Sequence, residues 1–186
     1  MKNSALFIVD VQNDFLPGGA LAVPRGDEVI APVNELQKQF EWIFASKDWH
    51  PADTKHFEKW PVHCVRGSQG ARFPEALHIS RIEKVFLKGT GASDDGYSAF
   101  EATNADLEFC LRSRGIRQLF VCGLATDYCV KATALDAARL GFDVFVVRDA
   151  VRAVNLQPDD EQKALAEMEA AGIHIIRSDQ ITKFRL

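Results

Sequence analysis

The sequence predicts an α/β fold: a mainly parallel sheet with helices on both faces. Two observations carry this. Six short apolar runs recur along the chain, "ALFIVDV" (5–11), "WIFAS" (42–46), "KVFLKG" (84–89), "QLFVCG" (118–123), "DVFVVRD" (143–149) and "HIIRS" (174–178). Several lack period-two alternation, as strands covered on both sides do. Between them lie helical patterns over roughly 27–39, 102–114, 127–140 and 158–171. Gly115 and Gly141 stand where helix ends favour glycine, and "QPDDEQ" puts a proline and acids where a helix start favours them. Strand and helix therefore alternate, which is the signature of a parallel sheet.

At 186 residues the chain predicts one domain over 1–186, with no linker, repeat or low-complexity segment. The net charge of −4 offers no electrostatic basis for binding nucleic acid or an anionic membrane, and a small-molecule partner fits better. Asp10 interrupts the N-terminal apolar run, and no later segment has the length to span a bilayer, so the expected location is the cytoplasm. Four irregularly spaced cysteines, none in a CxxC pair, predict reduced thiols. The sequence neither requires nor excludes a homo-oligomer.

Parallel sheets place their sites at the carboxyl ends of strands, near the point where strand order reverses. Three runs end in residues suited to chemistry: Asp10 after "ALFIV", Lys88 after "KVFL" and Cys129 just past "QLFVCG". Singly, each has an ordinary reading as a turn cap, a solvated strand end and a buried thiol. Together they fall on one rim. Cys129 lies early in a predicted helix for which Thr126 or Asp127 is the natural N-cap, among backbone amides able to stabilise a thiolate or an oxyanion. No histidine is predicted on that rim, so Asp10 is the candidate base and Lys88 the cation that holds carboxylate and sulfur together. Cys110, in a helix, and Cys122, in a strand, read as core.

The long irregular stretch 47–83 holds three prolines and four of the five histidines, and loops of that length are usually functional. In "KDWH" the residues Asp48 and His50 face the same way, and with His63 they make a candidate metal site; His56 and Glu58 lie between. The competing reading makes Asp48 a turn cap and the histidines surface residues. Phe15, Trp49, Phe57 and Trp60 crowd the same region and are suited either to core packing or to sandwiching a flat ring.

Four stretches in order, "FIVDVQNDFLPGGALAV", "KDWHP" with "WPVHCVRGSQGARF", "LKGT" with "YSAF", and "VCGLATDYCVKATALDA", resemble the nicotinamidase (pyrazinamidase) branch of the isochorismatase-like cysteine hydrolases over nearly the whole chain. The resemblance implies a three-layer Rossmann-like fold with a six-stranded sheet. It implies Cys129 as nucleophile, Asp10 as general base and acid, Lys88 as third member, and an oxyanion hole from the amides of Ala125 and Cys129 beside a cis Leu124–Ala125 bond. It further implies a divalent metal, commonly zinc, with iron or manganese as alternatives, held by Asp48, His50 and His63, and a ring packed by Phe15 and Trp60. The implied reaction is hydrolysis of nicotinamide in NAD salvage. Rival readings are a related amidase acting on pyrazinamide-like or carbamoyl substrates, and a metal- or ligand-binding protein without turnover. One departure stands out: many members read "DWHP", two residues, then "HxSF", whereas "DWHPADTKHF" puts Thr54 and His56 where those have His and Ser.

Overall fold

A computed structural model describes residues 3–93 and 96–184. Six strands, β1 (Ser4–Val9), β2 (Trp42–Asp48), β3 (Lys84–Lys88), β4 (Gln118–Leu124), β5 (Asp143–Arg152) and β6 (His174–Ile176), form one sheet in the order β3-β2-β1-β4-β5-β6. Every neighbouring pair is parallel. The strand order reverses between β1 and β4, so the switch point lies at the ends of the strands that carry Asp10 and lead into Cys129.

Burial explains why the apolar runs read as continuous. All six residues of β1 are buried, Leu6 and Ile8 in the cluster on one face and Ala5, Phe7 and Val9 in the cluster on the other. Phe120 and Cys122 of β4 divide from Leu119 and Val121 in the same way. The first face is covered by α1 (Ile30–Gln37) through Val33 and Leu36, with Ile181 of the C-terminal segment. The second is covered by α2 (Leu107–Arg112), α3 (Lys131–Arg139) and α4 (Asp160–Ala170), which contribute Leu111, Ala134, Ala137 and Met168. The three-layer α/β expectation holds.

Three helices differ from their predicted extent. The pattern over 27–39 opens with a 3-10 turn over Gly26–Val29 before α1. The pattern over 102–114 forms a helix only from Leu107, because Asn104 is spent on β3: its side chain accepts from Leu87 N and donates to Val85 O. Asp106 then caps the helix by accepting from Phe109 N at 2.9 Å. The helix predicted from 127 begins instead with a π-helical turn over Thr126–Val130, and α3 follows it. Neither Thr126 nor Asp127 caps it. Ala125, in extended conformation, holds the cap position, and its carbonyl accepts from Tyr128 N and Val130 N. Asp127 reaches elsewhere, accepting from the backbone of Val154 and Asn155 at 2.9 Å each. Such π turns often mark functional sites. Among the described residues no helix is long and apolar enough to cross a membrane.

Candidate active site

Asp10 follows β1 directly, with its backbone at φ 47°, a left-handed conformation that non-glycine residues enter at a cost of about 1 kcal/mol or more. Its carboxylate is fully buried, accepts from Ser46 Oγ at 2.7 Å and pairs with Lys88 Nζ at 2.8 Å. Lys88 ends β3 in register with Asp48 at the end of β2, which brings Nζ to 2.5 Å from Asp48 Oδ1. A fully buried ammonium therefore lies between two carboxylates, with the Gly96 carbonyl as a third oxygen at 2.7 Å. Cys129 Sγ completes the cluster 3.4 Å from Nζ. The solvated reading of Lys88 is thus wrong: parallel register carries this strand end inward to the switch point.

Electrostatics set the resting protonation. Burial pushes the Asp10 carboxyl up, Lys88 opposes it and Asp48 adds to it, leaving it at about 6. Asp48 is also buried, yet Lys88 and His50 hold it well below the usual carboxylate range. Burial would lower Lys88, but its two carboxylates hold it well above the normal lysine value. Burial drives the Cys129 thiol well up against the pull of Lys88. The resting sulfur is therefore a thiol, and its proton needs an acceptor; the adjacent carboxylate is Asp10.

The histidine loop builds the other wall. Thr54 accepts from His56 N and starts the short turn Lys55–Glu58, which turns His56 inward; Glu58 is exposed. Ring nitrogens of His50, His56 and His63 lie within 4.8 Å of one another. The Nδ1 atoms of His50 and His63 face the carbonyls of Gly89 (2.9 Å) and Pro61 (2.7 Å), an arrangement that aims Nε2 at a shared point. His50 Nε2 is buried and has no hydrogen-bond partner, and Asp48 Oδ2 lies 3.7 and 3.9 Å from Nε2 of His50 and His63. An orphaned imidazole nitrogen facing two more histidines and a carboxylate fits a divalent metal. Gly89 is part of the construction: at φ +61° a Cβ there would meet His50 Cε1 at 2.4 Å.

Cys129, Asp48 and the three histidines share one cavity with about 500 Å³ of empty space, mouth included. Phe15 lies against His63, ring centroids 5.5 Å apart. Trp60 stands edge-on to Tyr128 at 5.1 Å and donates Nε1–H to the Tyr97 hydroxyl at 2.9 Å. The structure thus gathers Cys129, Asp48, His50, His63, Phe15 and Trp60 around one space, with Asp10 and Lys88 buried behind Cys129 and Asp48. It adds His56 to the candidate metal-binding group, and Tyr97, Tyr128, Leu21 and Val154 to the walls. Nothing in the spacing of those wall residues marks them, although Leu21, Tyr97 and Tyr128 fall within the stretches that carry the resemblance. The Leu124–Ala125 peptide bond is cis, as the resemblance implied. All four cysteines are free, and Cys110 and Cys122 are buried in the core as expected.

The isochorismatase domain family matches residues 4–180. A nicotinamidase of Escherichia coli (strain K12) is 43% identical, covering 92% of this chain and 93% of that protein. A pyrazinamidase of Pyrococcus horikoshii, solved in complex with zinc, superposes with a TM-score of 0.86 at 43% identity, covering 94% of this chain and 99% of the other. A protein from L. infantum, solved in complex with nicotinate, gives 0.90 at 38% identity, covering 96% and 94%.

Proposed function

The chain belongs to the isochorismatase family, and from that premise we propose that it is a metal-dependent cysteine amidohydrolase converting nicotinamide to nicotinate and ammonia. The observation that carries this reading is the convergence of a buried Asp10–Lys88–Cys129 cluster and a three-histidine group on one aromatic-walled cavity. The identity to nicotinamidases over most of both chains supports the same substrate. NAD salvage, a cytoplasmic location and one hydrolase domain over 1–186 belong to this reading.

The carboxamide carbon is placed at Cys129 with the ring between Phe15 and Trp60. Asp10 accepts the thiol proton as sulfur attacks, and backbone amides of Ala125 and Cys129 receive the developing oxyanion, a contribution of about 3 kcal/mol for one such donor. Asp10 returns the proton to nitrogen as the C–N bond breaks and ammonia leaves. The acyl group remains on sulfur as a thioester. Asp10 then draws a proton from water, which attacks the thioester and releases the acid and the thiol. Lys88 keeps the two carboxylates apart and oriented throughout.

His50, His56 and His63, with Asp48, would hold the metal, most consistent with zinc, with iron or manganese as the other candidates. Bound there, a divalent ion supplies a Lewis-acidic partner for the pyridine nitrogen. The test is ammonia release from nicotinamide, pyrazinamide and aliphatic amides. No turnover of nicotinamide refutes the substrate, and turnover confined to another amide transfers the same machinery to the related-amidase reading.

A further inference from the structure

Two of the three oxygens around the Lys88 ammonium are carboxylates held by strand ends. The third, the Gly96 carbonyl at 2.7 Å, lies on a loop, and no strand pairing fixes its direction. Glu101 fixes it instead. One carboxylate oxygen accepts from Gly96 N at 2.5 Å and the other from Ser98 N at 3.2 Å. Those two N–H groups belong to the peptides flanking the one whose carbonyl faces Lys88, so the peptide between them is held from both sides. The residue between them is Tyr97, whose ring lines the cavity and whose hydroxyl accepts from Trp60.

We infer that Glu101 is a positioning residue for the reaction: by pinning the Gly96–Ser98 backbone, its exposed carboxylate aims the Gly96 carbonyl at Lys88 and sets Tyr97 against Trp60. One side chain outside the cavity thereby aligns both the cation beside the nucleophile and the aromatic wall that receives the ring. Charge-assisted hydrogen bonds from a carboxylate to two backbone amides are strong enough for such a task, and displacing a reactive group by about 1 Å can cost up to about a hundredfold in rate. This inference rests on the function proposed above.

A purely local role predicts something different. Glu101 and Ser98 also form a capping box on the short turn Ala99–Glu101, in which Ser98 Oγ accepts from Phe100 N at 3.2 Å. Ser98→Ala removes that half of the cap and leaves both bonds from the backbone to Glu101 possible. The experiment compares metal-loaded wild type, E101A, E101Q, E101D and S98A, with thermal melting to establish folding. Expected for E101A is a fall in kcat on nicotinamide of about tenfold or more with a several-fold rise in KM, while S98A stays within about twofold and E101Q, whose amide can accept from only one of the two N–H groups, recovers only part of the loss. If E101A does not fold, E101D, whose reach is one methylene shorter, carries the same comparison with S98A. The rate of Cys129 alkylation by iodoacetamide, resolved by peptide mass spectrometry, is the second readout, and in E101A or E101D it is expected to change about fivefold or more relative to S98A. Wild-type protein that releases no ammonia from nicotinamide refutes the proposed substrate alone, and the alkylation rates then decide the role of Glu101. Kinetics and alkylation within about twofold of S98A overturn the inference.

Discussion

The two halves of the site are built by opposite means. Asp10, Asp48 and Lys88 stand at strand ends, where neighbouring hydrogen-bond ladders fix them relative to one another, and Asp10 and Lys88 are fully buried. The three histidines come from a stretch with little regular structure, in which backbone carbonyls, a threonine-capped turn and ring stacking set the geometry; His50 and His56 stack at 4.5 Å. The first half keeps its shape because the sheet does. The second keeps its shape through local bonds. In the proposed reading, bond making is assigned to a rigid frame and ring holding to a loop.

The division can be broken from either side, and the largest effect is expected at sulfur. Cys129→Ala should cut ammonia release by about four orders of magnitude or more while ring binding, followed by calorimetry, persists. Full turnover by this variant would remove Cys129 from the mechanism. Lys88→Met leaves two buried carboxylates facing each other without their cation, and should cost about 3–5 kcal/mol in denaturant unfolding as well as activity. An unchanged unfolding midpoint would show that the cluster relaxes more freely than its burial implies.

On the loop side the damage should be to metal first. His50→Ala and His56→Ala should each lower metal affinity by at least about tenfold in a chelator competition and leave the melting curve of the metal-free protein close to wild type. Metal content equal to wild type in His56→Ala would return the ligand set to Asp48, His50 and His63 alone. pH sharpens the contrast further. Because burial raises Asp10 to about 6, it is protonated below that value and accepts no proton from sulfur, so kcat/KM should fall about tenfold per pH unit on the acid side. The sign for stability is opposite: protonation favours this buried group, so between about pH 6 and pH 4 its contribution to stability rises while activity falls. A flat acid limb would exclude Asp10 as the base. The smallest effect is expected at a thiol away from the cavity: Cys110→Ser should leave turnover within about twofold.

The strand-borne residues were legible because their signal is local. An apolar run that stops at an acid, a lysine or a glycine-led turn reports a strand end, and the parallel rule then collects those ends on one rim. The histidine loop was legible in part. "KDWH" showed Asp48 and His50 on one side, but nothing in the spacing distinguished His56 from Glu58, because the turn capped by Thr54 decides which of the two faces inward. The departure "DWHPADTKHF" therefore acquires a structural meaning: Thr54 caps the turn and His56 joins the candidate metal-binding group.

Thr126 and Asp127 show the opposite limit. Both residue types suit an N-cap, yet Ala125 occupies that position; Thr126 is fully buried, and Asp127 clamps the backbone at Val154 and Asn155. Asp127 bonds backbone amides as its type suggests, though not those of the helix start, whereas the buried Thr126 hydroxyl has no hydrogen-bond partner. The sequence by itself determined the α/β class, the order of strands and helices, and the acid, cation and thiol at the sheet's rim, because periodicity and strand-end chemistry act over a few residues. Only the tertiary structure decided the partners of Lys88, the inward turn of His56, the aromatic wall at Tyr97 and Tyr128 and the reach of Glu101 to the Gly96 backbone, because each depends on how segments far apart in the chain, or turns without a periodic signal, come to rest against one another.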